Sequence, residues 1–173
     1  MIGNDDYHIT GRLRFDVFQA CDSGECLALQ RIGLKCAHTH LDRQKHASGW
    51  YENLVTNNGK TYFAQDGSSS RPTAITGFLV GNGSTAAAVT DTNLSGASKY
   101  RQAFDSNTNS SNVVTYTTTI AAGNATFVNN EFGITNATTT ALSDGVLITH
   151  LIAGPYTKGA SDVIAYVYQL TVN

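Results

Sequence analysis

Apolar and polar residues alternate in several short stretches of this chain, and helical spacing is nearly absent. Residues 13–17 read LRFDV and residues 114–120 read VTYTTTI. In each stretch more apolar and polar residues alternate, so an extended strand would have one more apolar face and one polar face. This pattern predicts strands that bury one face and expose the other to solvent.

Further apolar stretches predict the other strands. They cover residues 74–81, 125–135, 145–152 and 162–172, and turn-forming sequences lie between them. The last stretch, DVIAYVYQLTV, is apolar on both faces, which predicts a central place in its sheet. Short strands separated by turns are typical of β-sandwiches and jelly rolls. We therefore expect an all-β fold, a jelly-roll-like antiparallel β-sandwich with at most one or two short helices.

Other segments break the strand pattern. KTYFAQ at 60–65 predicts one short helix, and 91–104 predicts a helical turn capped by Asp91 or Thr92. SNTNSSN at 106–112 predicts a loop. Residues 41–52 are polar and irregular, with Trp50 as the expected anchor of that segment.

The length of 173 residues suits a single domain. We expect an N-terminal arm over residues 1–10 and one β-sandwich domain over residues 11–173. A chain of this size buries about 70% of its unfolded surface, so its stability requires neither a metal nor a disulfide.

Composition narrows the class of partner. Charged residues make up 14% of the chain and the net charge is −2, whereas about 25% charged residues is usual. Such a chain lacks the basic field that draws nucleic acid by counterion release, so we expect no nucleic-acid partner.

No apolar run reaches the ~18 residues of a membrane span. The N-terminal MIGNDDYHIT does not resemble a signal peptide, so we expect synthesis in a cytosol-like compartment.

The cysteines and two of the histidines lie together in CDSGECLALQRIGLKCAHTH, residues 21–40. Cys21 and Cys26 flank a turn, and Cys36, His38 and His40 would share one face of an extended strand. A zinc site, a disulfide and packed free thiols are the alternatives. The spacing matches no strong zinc template, and a cytosol-like compartment disfavours disulfides. We therefore expect packed thiols and no metal or other cofactor.

Candidate catalytic groups are sparse. TNNGKT at 56–61 lacks the first glycine of a phosphate-binding loop, and no Gly-x-Ser-x-Gly elbow occurs. His150 lies in an apolar strand, where a half-exposed or hydrogen-bonded histidine is expected rather than a base. Glu131 has no acidic neighbour in sequence, which favours a surface or hydrogen-bonding role. We expect no enzymatic activity.

The second half of the chain resembles a recurring pattern of phage proteins. AITGFLVGNGSTAAAVTDTNL (74–94) has a strand, Gly-x-Gly-Ser-Thr and Asp-Thr-x-Leu, and ATFVNNEFGITNATTT (125–140) has Phe-x-x-x-Glu-x-Gly-Ile. PYTKGASDVIAYVYQLTV (155–172) is similar to the closing lysine-containing turn and long strand, and 11–59 resembles the opening hairpin and Asn-Leu-Val-Thr element. The most specific parts are 81–94 and 127–134. The pattern is that of tailed-phage head decoration (cement) proteins and related tail-associated structural proteins.

The resemblance implies a non-enzymatic virion protein on the outer capsid surface. It would be made in the host cytoplasm, bind the major capsid protein and form a homotrimer. The candidates for capsid contact are Tyr7, His8, Ile9, Arg12 and Arg14, although a frayed terminus is the alternative for the arm. The same resemblance also fits a tail- or fibre-associated structural or receptor-contact protein.

Overall fold

The computed structural model describes residues 8–19, 44–66, 72–137 and 141–173. The candidates considered for a metal site or a disulfide, which are Cys21, Cys26, Cys36, His38 and His40, lie outside these ranges, as does Tyr7. The strands are β1 (Ile9–Gln19), β2 (Gln44–Ala47), β3 (Tyr51–Glu52), β4 (Leu54–Val55), β5 (Gly77–Gly81), β6 (Lys99–Ala103), β7 (Ser106–Ser110), β8 (Val113–Ile120), β9 (Val128–Thr135), β10 (Leu147–Thr157) and β11 (Asp162–Val172). A helix, α1, spans Asn57–Asp66.

The strands form two antiparallel sheets, which confirms the predicted all-β sandwich. One sheet has the order β2-β1-β11-β8-β7, with β3 also paired to β1, and the other has the order β4-β10-β9-β5-β6. Strand β11 is central in its sheet, as its apolar sequence predicts. The inner faces of the two sheets enclose the core.

Aromatic rings from both sheets fill that core. Phe15 and Tyr166 come from one sheet, and Phe78 and Phe132 come from the other. The ring centroids of Phe78 and Tyr166 lie 4.6 Å apart, and those of Phe132 and Tyr166 lie 5.7 Å apart. Offset aromatic pairs at such distances add to the stabilisation that burial provides.

Strand β1 begins within the range predicted as an arm. Ile9 pairs with Val172 and Gln19 pairs with Asp162, so β1 lies along the whole of β11. The His8 amide also donates to the Asn173 carbonyl at 3.2 Å. Positions 9 and 10, which were predicted to belong to the arm, are therefore part of the sandwich.

Helix α1 confirms the short helix predicted over 60–65, but it starts three residues earlier. The Thr56 hydroxyl accepts a hydrogen bond of 3.0 Å from the Gly59 amide, which is the bond expected of an N-cap residue. The polar start of the helix lacks apolar periodicity, so the sequence pattern did not reveal it.

Three of the predicted irregular segments differ in the structure. The irregular segment predicted over 41–52 is wrong in part, because Gln44–Ala47 forms β2 and Tyr51–Glu52 forms β3, and both pair with β1. The helical turn predicted within 91–104 is wrong, because Lys99–Ala103 forms β6 and Asp91 accepts from the Ala88 amide instead of capping a helix. The loop predicted over 106–112 is also wrong, since Ser106–Ser110 forms β7 and pairs with β8. Backbone pairing suffices for an exposed edge strand, and its side chains can all be polar.

Candidate functional site

The connection between β5 and β6, residues 82–98, crosses the outer face of the five-stranded sheet. We call it the crossing segment. Phe132 and Ile134 of β9 lie in the core, so the alternating residues Glu131 and Gly133 face outward. Leu94 of the crossing segment packs there against Leu79 and Leu147. The segment thus covers a face that would otherwise be open to solvent.

Glu131 fastens the crossing segment to the sheet. Its side chain is 0% exposed. Its carboxylate accepts from the amides of Gly83 (3.2 Å), Gly96 (2.9 Å) and Ser95, and from the Ser95 hydroxyl (2.8 Å). His150 Nε2 lies 3.0 Å from the same carboxylate. Both carboxylate oxygens are therefore used to hold the segment.

His150 lies between two carboxylates. Its Nε2 faces Glu131 Oε1, and its Nδ1 lies 2.6 Å from Asp91 Oδ2. Residue His150 is 1% exposed, whereas the Asp91 side chain is 28% exposed. Because an ionised carboxylate can only accept, both ring nitrogens must carry hydrogen to satisfy both contacts. The geometry therefore selects imidazolium.

The pKa values shift in the directions this arrangement requires. Burial alone would raise the pKa of Glu131, but hydrogen bonds from His150, Ser95 and Gly96 lower it to about 2. Burial alone would lower the pKa of His150, but its hydrogen bonds to Glu131 and Asp91 outweigh burial and raise it. The hydrogen bond from the Ala88 amide, with help from His150, lowers the pKa of Asp91. These shifts favour the charged forms.

We call Asp91, His150 and Glu131, with the Glu131 donors Gly83, Ser95 and Gly96, the carboxylate clamp. A serine hydroxyl beside a carboxylate and a histidine can suggest nucleophilic catalysis. Here, however, the carboxylate already accepts from five groups. A carboxylate whose pKa is about 2 is also a weak base near neutral pH. The arrangement is better suited to holding a segment than to moving a proton.

Further hydrogen bonds hold the crossing segment at its turn near Val89. The Asn57 amide, at the start of α1, donates to the Val89 carbonyl at 2.7 Å. The Ala88 amide donates to Asp91 Oδ2, also at 2.7 Å. Asp91 thus orders its own turn and contacts His150 with the same oxygen. These bonds join the segment to β10 and to α1.

The expected hydrogen-bonding roles of the two isolated residues are confirmed, but their partnership was not foreseen. Glu131 and His150 are adjacent only because β9 pairs with β10, with His150 opposite Gly133. Asp91 is 40 or more positions away from both in sequence. The available indication was that 81–94 and 127–134 were the stretches singled out in the sequence as the most specific motifs. Gly83 and Asp91 of the clamp lie in the first of these stretches and Glu131 lies in the second, whereas Ser95, Gly96 and His150 lie outside both.

The described capsid-contact candidates lie at the start of β1. His8 is exposed, whereas Ile9 is partly buried and packs against the core. Arg12 and Arg14 are both exposed on the outer face of β1. Trp50, the expected anchor, remains 38% exposed and lies beneath these two guanidinium groups.

Two cavities in the described part of the chain have linings that include neither Glu131 nor His150. One, of about 30 Å³, is lined by residues that include Arg101, Thr135 and Asp144. A larger groove, of about 380 Å³, is lined by residues that include Tyr62, Ile75 and Tyr116. The described ranges contain no group of three His, Cys, Asp or Glu residues placed to hold a metal ion. They also contain no helix that is long and apolar enough to span a membrane.

A scan against protein-family models and searches of curated proteins and of solved structures give no match to this chain.

Proposed function

We propose that this chain is a non-enzymatic structural protein of a tailed-phage virion. In this proposal it is a decoration protein that binds the major capsid protein on the outer capsid surface as a homotrimer. The observation that supports the proposal best is the convergence of the two most specific phage-like motifs on the carboxylate clamp. Polar groups of the two motifs hydrogen-bond to each other, as the Gly83 amide does to Glu131, and so stabilise the fold.

Three residues of the two motifs take part in the clamp. Gly83 and Asp91 come from the first motif, and Glu131 comes from the second. A Cβ on Gly81 would lie 2.7 Å from Glu131 Oε2, so this glycine is required by the close approach of the carboxylate. The sequence pattern is thus explained by architecture, as expected of a structural protein.

A decoration protein stabilises a capsid by adding contacts across the seams between capsomers. Many identical copies act on one lattice, so modest contacts per copy suffice through multivalency. A closed trimer would match local threefold symmetry of the lattice. The low charge and neutral polar surface of this chain are compatible with such a role.

The test is the location of the chain in particles of the phage that encodes it. Particles with and without the gene are purified, analysed by mass spectrometry and reconstructed by electron cryomicroscopy. We expect trimeric density on the outer capsid that disappears in the deletion and returns when purified chain is added. Density on the tail would contradict the decoration role and support the tail- or fibre-associated alternative. Absence of the chain from particles would contradict both.

A further inference from the structure

An exposed tryptophan lies beneath two arginines on the outer face of the six-stranded sheet. The Arg12 Cζ lies 4.2 Å and the Arg14 Cζ lies 5.2 Å from the centroid of a Trp50 ring. Arg12 and Arg14 are alternate residues of β1 and therefore project from the same face. Cation–π contacts of this kind hold guanidinium groups in place while leaving their N–H donors available. We call these three residues the Trp50 cluster.

The two guanidinium groups have no ion-pair partner among the described residues. Arg12 Nε donates to the neutral Gln169 side chain at 2.9 Å. Glu52 lies opposite Arg12 in the pairing of β1 with β3, yet no ion pair joins them in the described structure. Asp16 is the next residue on this face of β1, and it has an interaction of its own. The cluster is therefore a local positive site on a chain whose net charge is −2.

The residues paired with Arg12 and Arg14 on β11 are neutral. Arg14 pairs with Val167, and Val167 pairs with Thr117 of β8. Arg12 pairs with Gln169, and Gln169 pairs with Thr115. Protein-interface hot spots are enriched in arginine and tryptophan, and the core of an interface is depleted in other charged residues. The Trp50 cluster and the neutral residues beside it have this composition.

We propose that the Trp50 cluster docks the chain onto a carboxylate-bearing patch of a partner protein. Guanidinium groups bind carboxylates through paired, charge-assisted hydrogen bonds. A nucleic acid is disfavoured because two arginines on a net-negative chain replace few phosphate counterions. The identity of the partner as the capsid protein rests on the proposed function, but the chemistry of the surface does not.

Trp50 is the only tryptophan of the chain, so its fluorescence reports on the cluster directly. Poly-L-glutamate is titrated into the purified chain, with a single-stranded oligothymidylate as the comparison polyanion. We expect a saturable fluorescence change with poly-L-glutamate that weakens as salt rises. The double variant Arg12→Gln/Arg14→Gln should weaken it about tenfold or more, the loss expected when about 1.4 kcal/mol of binding is removed. Far-UV circular dichroism checks that the variant is folded.

The matched control is Lys60→Gln/Lys99→Gln, which changes net charge equally at positions outside the cluster. It should bind poly-L-glutamate as the unchanged chain does. Iodide and acrylamide quenching provide a second measurement, because a positive site concentrates iodide but not neutral acrylamide. The ratio of iodide to acrylamide quenching should fall in the arginine variant only. Equal loss in both variants, or tighter binding of the oligothymidylate, would overturn the proposal.

A particle-binding assay separates this proposal from the proposed function. Arg12→Gln/Arg14→Gln should fail to rebind particles that lack the gene, while the lysine variant rebinds them. If the arginine variant rebinds normally, the docking proposal is wrong and the virion role stands. If the unchanged chain binds poly-L-glutamate through the cluster but is absent from particles, the virion role is wrong and the acidic-partner chemistry stands.

Discussion

Glu131 and His150 form a buried ion pair on neighbouring strands, with 3.0 Å between Oε1 and Nε2. Neither side chain is more than 2% exposed. Asp91 approaches the other ring nitrogen from the crossing segment. Burial of charges is costly unless each is paired and hydrogen-bonded. In this clamp the His150 cation is paired with both carboxylates, and Glu131 also accepts hydrogen bonds from the crossing segment.

Removing the Glu131 charge should be strongly destabilising. In Glu131→Gln the amide cannot accept from all five donors, and the His150 cation loses a buried partner. Breaking one side of a buried pair typically costs about 3–5 kcal/mol. We expect a fall of that size in the free energy of unfolding, measured by urea denaturation. Glu52→Gln, an exposed control, should change it by less than about 0.5 kcal/mol. Similar small effects of both variants would show that the clamp contributes little.

The clamp also predicts how stability depends on pH. The pKa of His150 is raised above its ordinary 6.5, so its contribution is complete below pH 6.5 and is lost as pH rises through the raised value. The pKa of Glu131 is lowered from 4.5 to about 2, so its contribution is complete above pH 4.5 and is lost as pH falls toward 2. Both contributions are therefore greatest between pH 4.5 and 6.5.

Urea midpoints measured from pH 4 to 9 test the alkaline part of this prediction. The decline above pH 6.5 should become shallower in His150→Gln, because the titrating group is gone. His8→Gln, which changes an exposed histidine outside the clamp, should keep the original slope. An unchanged slope in His150→Gln would mean that His150 does not hold its proton as the geometry requires.

Gly83 should not tolerate a side chain. A Cβ at this position would overlap the Ser95 hydroxyl and the Glu131 carboxylate. We expect Gly83→Ala to destabilise the chain by about 1–3 kcal/mol, the usual cost of inserting a methyl group into a packed site. Gly49→Ala is the control, since a Cβ there meets nothing within 4 Å. Thermal denaturation of the two variants should separate them, and equal melting temperatures would contradict the close approach.

Several tyrosines should ionise only at very alkaline pH. Burial, with smaller contributions from nearby acidic groups, raises the pKa values of Tyr116 and Tyr156 to about 12. Burial raises the pKa values of Tyr166 and Tyr168 still further. Ultraviolet absorbance should therefore show that these four tyrosines ionise only above the ordinary value of about 10 or on unfolding. A single transition accounting for all tyrosines near pH 10 would contradict this burial.

The periodic strands could be predicted because their alternation records one buried and one exposed face. Residues 13–17 and 114–120 show this, and they lie in β1 and β8. Strand β7 could not be predicted in the same way, because SNTNS is exposed at every position. Its pairing with β8 depends on backbone groups, which side-chain patterns do not report.

The clamp could be predicted only in part. Gly83, Asp91 and Glu131 lie within the most specific motifs, but sequence alone did not bring them together. That contact depends on the pairing of β9 with β5 and β10 and on a 17-residue connection, residues 82–98, folding back over their outer face. Long-range pairing of this kind decides which polar residues meet.

Amide hydrogen exchange at Gly83, Ser95 and Gly96 tests most directly whether Glu131 holds the crossing segment on the sheet. These amides donate to Glu131, so they should exchange slowly although they lie in a connection between strands. In Glu131→Gln their protection should fall by at least tenfold more than that of the Val167 amide in β11. Fast exchange at all three amides in the unchanged chain, as in an unstructured peptide, would contradict the clamp.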